Sequence, residues 1–159
     1  MKEHDPSKQT PGHGAMSMQS GERDQIAAFL EGSVAAGASS QDIAEAVAAA
    51  FRGIDQALLP IIGPRGVAAL YKRSVHLARQ AHAWLPHSAE GVPTTMDLAA
   101  LTDGLAQQTP DGAAAAGVRL LQTFHGLLSS LIGPSLTEGL LRPVWATFLS
   151  GPSARDTKP

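Results

Sequence analysis

The sequence predicts an all-α protein, a six-helix bundle that lies between two disordered tails. Hydrophobic residues, alanine prominent among them, make up 43% of the 159 residues, whereas aromatic residues make up only 4%. Alanine and leucine favour helices, and scarce aromatic and β-branched residues argue against a large sheet. Residues 1–20 and 150–159 are rich in glycine, proline and polar residues and have little to bury. We therefore expect these tails to be disordered and residues 21–149 to form one domain.

The six helices are predicted from apolar stripes of helical period and from capping residues at their ends. They span about 21–36, 41–62, 65–85, 96–107, 111–132 and 134–149. The expected N-terminal residues are Ser20, Ser39 or Ser40 with Asp42, Thr94 with Asp97, and Thr109-Pro110. Phe51 and Phe124 fall on apolar stripes, so we expect both to be buried. Pro60 and Pro143 should loosen or bend their helices, and residues 86–93 form a linker.

Residues 41–85 resemble residues 111–149 at an offset of 70. Ile61-Ile62-Gly63-Pro64 aligns with Leu131-Ile132-Gly133-Pro134, and Leu70-Tyr71-Lys72 aligns with Leu140-Leu141-Arg142. Each unit is a helix, a Gly-Pro corner and a second helix, with glycine ending one helix and proline beginning the next. One interpretation is a duplicated module whose corners present equivalent surfaces. The other is that Gly-Pro is simply an efficient joint, used twice.

The Ile-Gly-Pro corner, followed by a helix with Leu and then Lys or Arg, resembles small uncharacterised helical domains of bacterial signalling proteins. In this chain the matching residues are Ile62-Gly63-Pro64 with Leu70 and Lys72, and Ile132-Gly133-Pro134 with Leu140 and Arg142. Such domains are attached to, or encoded near, kinases and response regulators. The resemblance covers about 20 residues twice, implies a role in signalling and carries no catalytic residue.

The third predicted helix carries a basic stripe of Arg65, Lys72, His76 and Arg79, in which the last three residues lie within about 40° of Arg65 around the axis. An apolar arc lies opposite and consists of Val67, Leu70, Tyr71, Ala78, Ala81 and Leu85. The stripe is either a recognition face for an acidic or phosphorylated protein, or a solvated face. In the second case its charges pair with acidic residues of the first two helices, such as Glu31, Asp42 or Glu45.

No catalytic or metal-binding motif is present. The chain has no cysteine, which excludes thiolate ligands and thiol nucleophiles, and its histidines lack the spacing of a metal site. His125 is either an interfacial histidine or, alternatively, a haem ligand or phosphoacceptor. Trp84 and Trp145 are expected to be core anchors. The alternative is that one of them is part of an exposed binding patch. We expect no metal and no cofactor.

The net charge of −2 gives no overall attraction to nucleic acid or to anionic membranes. No apolar segment follows Met1, and the longest apolar runs break at Gly63-Pro64 and Gly133-Pro134. These features predict a cytoplasmic protein that binds neither nucleic acid nor membrane.

Together these observations favour a non-enzymatic protein-interaction module, a regulatory or adaptor protein of bacterial signalling. Its predicted site comprises the basic stripe (Arg65, Lys72, His76 and Arg79) and the corners (Gly63, Pro64, Gly133 and Pro134). The alternatives are a structural helical homo-oligomer and a sensor that encloses a small ligand, such as haem, between the two units.

Overall fold

The computed structural model describes residues 25–86 and 96–156, with residues 150–156 as backbone alone. Helix α1 covers the described residues 25–35. It is followed by α2 (Ser40–Ala78), α3 (Leu98–Ala106), α4 (Pro110–Ile132) and α5 (Pro134–Asp156). The described residues contain no strand, so the protein is all-α as predicted. The expected tail over residues 1–20 lies outside the described residues.

The described part of the chain contains five helices instead of the predicted six, because the predicted second and third helices form one helix, α2. Only Gly63 departs from helical geometry within it, with φ 78° and ψ 167°. The chain nevertheless folds back at this residue, since the rings of Phe51 and Tyr71 lie 5.2 Å apart on either side of it. One residue with positive φ is thus enough to make the corner, and no non-helical linker separates the two arms. We refer to residues 40–62 and 64–78 as the first and second arms of α2.

The helix ends largely follow the predicted capping residues. The Ser39 hydroxyl accepts a hydrogen bond from the Asp42 amide, and the Asp42 carboxylate accepts one from the Ser39 amide. Asp97 caps α3, and Thr109 caps α4 with Pro110 in the first turn. The ends that differ are the C-terminal ones. The third predicted helix stops at Ala78 instead of 85, and α5 continues through Pro143 to Asp156, past the predicted end near 149.

The core lies mainly between the first arm of α2 and α4. Phe51 and Phe124 are both fully buried, as predicted, and their rings meet edge to face with centroids 5.6 Å apart. Val47 of the first arm contacts Gly117 of α4. Val47 lies four residues before Phe51, and Gly117 lies seven residues before Phe124, so moving along either helix from the first contact to the second follows the chain from N- to C-terminus. The first arm of α2 and α4 therefore run parallel to each other.

The two corners therefore lie at the same end of the bundle. Gly63 follows Val47 by 16 residues, and Gly133 follows Gly117 by 16 residues, which is about 24 Å along either helix. Both glycines have positive φ, 78° and 94°, with ψ of 167° and 149°. We call this end of the molecule the corner end. At the opposite end, the Ser40 hydroxyl donates a 2.8 Å hydrogen bond to the Ala106 carbonyl and ties α2 to α3.

Candidate functional site

The basic stripe lies on the outer face of the second arm of α2. Arg65 and His76 are exposed and Lys72 is half-buried, opposite the buried Val67 and Tyr71. This is the arrangement that the helical spacing predicts for the first part of the stripe.

Arg79 is placed differently from the other members of the stripe. It caps the C-terminus of the arm, and its guanidinium turns onto the following loop. Its Nε donates to the Leu85 carbonyl at 3.0 Å, and its Nη2 donates to the Ala83 carbonyl at 3.2 Å. The predicted helix ended at 85, so residues 80–85 were assigned to the wrong structure. As a consequence Ala81, which was expected in the apolar arc, is exposed, whereas Leu85 is buried although it lies in a loop and not in a helix.

Two of the acidic residues that were expected to pair with the stripe, Asp42 and Glu45, have partners close to them in sequence. Asp42 takes part in the capping box at Ser39, and Glu45 accepts a hydrogen bond from the Gln41 amide at 2.9 Å. Each carboxylate is thus held by its own helix, one or two turns from the start of α2.

The corner end carries large apolar side chains that are exposed, although the apolar stripes of the sequence did not predict this exposure. Four large hydrophobic residues among those described are strongly exposed, and each lies within four residues of Gly63 or Gly133. They are Leu59 (42% exposed), Ile61 (49%), Leu131 (61%) and Leu136 (48%). We call these four residues the corner patch. The signal available in the sequence was their position beside Pro60, Pro64 and Pro134, where each helix ends and no neighbouring turn remains to cover them.

Several pairs of positions related by the offset of 70 are alike in burial. Val67 and Thr137 are buried, as are Tyr71 and Leu141, and Val75 and Trp145. Ile61 and Leu131, which stand two residues before their glycines, are both exposed. The two corners are therefore alike in which of these positions are buried and which are exposed.

His125, Trp145 and Trp84 each take part in a contact between aromatic rings. His125 is buried between α4 and α5, where its ring lies 6.4 Å from that of Trp145. Trp145 is buried, as expected of a core anchor, whereas Trp84 is half-buried beside His82, with ring centroids 6.1 Å apart. Among the described residues, no group of three or more His, Asp or Glu side chains is placed to hold a metal ion.

Tyr71 is a buried phenol whose hydroxyl has no hydrogen-bond partner among the described residues. Burial raises the pKa of this phenol above its usual value of 10.0, and the negative charge of Asp97 adds to the effect. The group stays neutral at physiological pH. Its contribution to the protein is therefore the packing of its ring against Phe51.

Helix α2 also contains a long apolar segment, although the break at Gly63-Pro64 was expected to exclude one. It contains an 18-residue window with a mean hydropathy of 1.3, which by length and composition is apolar enough to cross a membrane. In this fold the helix turns back at Gly63, and 33% of that window is buried within the protein. Core helices of soluble proteins also meet this criterion.

Comparison with known proteins found no matching protein family, no similar curated protein and no similar solved structure.

Proposed function

We propose that this protein is a non-enzymatic protein-interaction module that docks another protein chain at its corner end. The observation that carries the proposal is the corner patch: among the described residues, the large apolar side chains that the fold leaves strongly exposed all lie beside the two corners. Exposed apolar groups that gather at one site, rather than scattering singly over a surface, are typical of interaction sites. We take the setting to be bacterial signalling, which the resemblance of the Ile-Gly-Pro corners implies.

The corner end is a better candidate for the docking surface than the whole basic stripe. Arg79 already hydrogen-bonds to two carbonyls of its own chain, so a partner would have to compete with these bonds. Arg65, by contrast, stands two residues after Gly63 and is exposed at the edge of the corner patch. Arg65 therefore belongs to the proposed surface, whereas Lys72 and His76 lie two to four helical turns away from the corner.

The internal near-repeat supports a surface made of two equivalent halves. We propose that the two helix–Gly-Pro–helix units arose by duplication and are related by a pseudo-two-fold axis between the first arm of α2 and α4. The direct contact between Val47 and Gly117, which are equivalent at the offset of 70, is what such an axis requires. The alternative, a ligand sensor, would need space beside His125, where the Trp145 ring packs.

The proposal can be tested by placing a photo-crosslinking amino acid at position 131 in cells that express the protein. Position 107 provides a matched control, because Gln107 is exposed but lies at the opposite end, next to the contact between Ser40 and Ala106. We expect crosslinked protein from position 131 and none from position 107. The crosslink should disappear when Ile61 is replaced by Ser. Equal crosslinking from both positions, or none from position 131, would overturn the proposal.

A further inference from the structure

The charges around the corner patch indicate what kind of partner fits it. Within residues 59–66 and 129–138 the only charged residues are Arg65, near the first corner, and Glu138, near the second. Arg65 is exposed and Glu138 is half-buried. The corner end thus combines apolar side chains with one positive and one negative charge, and its local net charge is zero. An anionic partner such as nucleic acid or an acidic lipid surface gains nothing from this arrangement.

A surface of this kind is complementary to a second copy of itself. In a dimer with two-fold symmetry, the same patch serves both subunits, and each contact occurs twice. If the first corner of one copy faces the second corner of the other, Arg65 approaches Glu138 of the second copy at both ends of the interface. If like corners face each other, Arg65 meets Arg65 and Glu138 meets Glu138. The charges therefore select the first arrangement over the second.

We propose that the corner end is occupied by a second copy of this chain, docked head to head with opposite corners facing. This inference rests on the proposed function, since it names the partner of the same surface. Apolar contacts among Leu59, Ile61, Leu131 and Leu136 of the two copies provide the attraction. The two Arg65–Glu138 pairs fix the order of the corners.

The patch is small for a permanent dimer. Exposed apolar patches of a few hundred Å² are found on typical monomers, whereas a stable interface buries about 800 Å² on each partner. The dimer is therefore expected to be weak and concentration-dependent, so that its association responds measurably to single substitutions.

Sedimentation equilibrium of the full chain and its variants tests the proposal. The wild type should show a reversible monomer–dimer equilibrium, and Leu131→Ser should abolish it. Arg65→Glu and Glu138→Arg should each weaken the dimer by about tenfold or more, because each creates two like-charge contacts. An equimolar mixture of these two variants should form heterodimers, since every 65–138 contact then joins opposite charges. Arg73→Glu makes the same change of charge at an exposed position of the same arm and should leave association unaltered.

Three results would overturn the inference. The wild type could remain monomeric at the highest concentration reached, it could dimerise regardless of Leu131→Ser, or the mixture could fail to associate. If the wild type stays monomeric while position 131 still crosslinks in cells, the second copy is wrong and the proposed function stands. Loss of that crosslink as well would reject both. Binding of the monomer to phosphatidylserine vesicles would instead make lipid the occupant of the patch. Dimerisation only after removal of residues 1–20 would show that this N-terminal segment occupies the patch in the full chain.

Discussion

Val47 occupies the space that a side chain at position 117 would need. A Cβ atom built on Gly117 lies 2.7 Å from Cγ2 of Val47, closer than real Cβ contacts allow. The absence of a side chain at position 117 is therefore what lets the first arm of α2 approach α4 so closely. Because valine is β-branched and fully buried here, it has little freedom to move aside.

Gly117→Ala should destabilise the protein despite the higher helix propensity of alanine. The gain of about 1 kcal/mol in propensity is opposed by about 1–3 kcal/mol of overpacking. In a Val47→Ala background the space is open, and the same change should become neutral or stabilising. Urea denaturation of the two single variants and the double variant measures this coupling. Additive effects would show that the two residues are not in close contact.

The corner glycines should tolerate alanine poorly. Gly63 and Gly133 combine positive φ with extended ψ, a region almost restricted to glycine, where a Cβ costs roughly 1–3 kcal/mol. Gly139 is the matched control, because it is exposed in α5 with nothing within 4 Å of a built Cβ. Gly139→Ala should therefore stabilise the protein by about 0.5–1 kcal/mol. Thermal melts of the three variants give the comparison, and equal shifts at positions 63 and 139 would contradict the proposed geometry of the corner.

Tyr71→Phe should maintain or raise stability at neutral pH, by up to about 1 kcal/mol, because it removes a buried hydroxyl that lacks a described partner. The ring keeps its edge-to-face contact with Phe51. A loss of more than about 1 kcal/mol on urea unfolding at pH 7 would mean that the hydroxyl makes a stabilising bond.

The same substitution should also change the alkaline stability. Burial raises the pKa of Tyr71 in the folded protein above 10.0, so the folded state holds this proton more tightly than the unfolded chain does. Below pH 10 both states keep the proton, and the full stability is present. As pH rises above 10 the unfolded chain releases the proton first, and the wild type loses up to about 1.4 kcal/mol per pH unit. The free energy of unfolding should therefore fall less between pH 8 and pH 11 for Tyr71→Phe than for the wild type.

Arg79 should contribute to stability through its loop, independently of any partner. Removing its guanidinium leaves the carbonyls of Ala83 and Leu85 without these bonds, so Arg79→Ala should cost about 1–3 kcal/mol. Arg73→Ala, at an exposed position on the same arm, should change stability by less than about 0.5 kcal/mol. Denaturant unfolding compares the two, and faster proteolysis within residues 80–86 of Arg79→Ala would locate the effect. Similar stabilities would show that the two hydrogen bonds contribute nothing net.

Phe51 and Phe124 should be the costliest single truncations in the core. Both are fully buried and lie edge to face, so either one replaced by Ala should lower the free energy of unfolding by about 3–5 kcal/mol. Phe→Leu at the same positions keeps most of the volume and should cost clearly less. Losses under 1 kcal/mol for both alanine variants would place the core elsewhere.

The sequence by itself determined the helical class, most N-terminal caps of the described helices and the burial of Phe51 and Phe124. These features depend on local signals: helix propensity, the 3.6-residue period that puts Phe51 and Phe124 on apolar stripes, and side chains such as Ser39 and Thr109 that bond amides three residues ahead. The two corners were likewise visible in the sequence as Gly-Pro pairs.

Only the tertiary structure decided which apolar residues remain exposed and which charges are used within the chain. Ile61 continues the stripe of Leu58 by helical spacing, yet Leu58 is fully buried and Ile61 is 49% exposed. Ile61 stands two residues before Gly63, where the chain turns back, and at that end of the arm the packing of the other helices decides which side chains are covered. In the same way, Arg79 shares a helical face with Arg65 in sequence, but its hydrogen bonds depend on where the loop at Leu85 folds back. Periodicity specifies the face of one helix on which a residue lies, whereas burial depends on which other segments of the chain pack against that face.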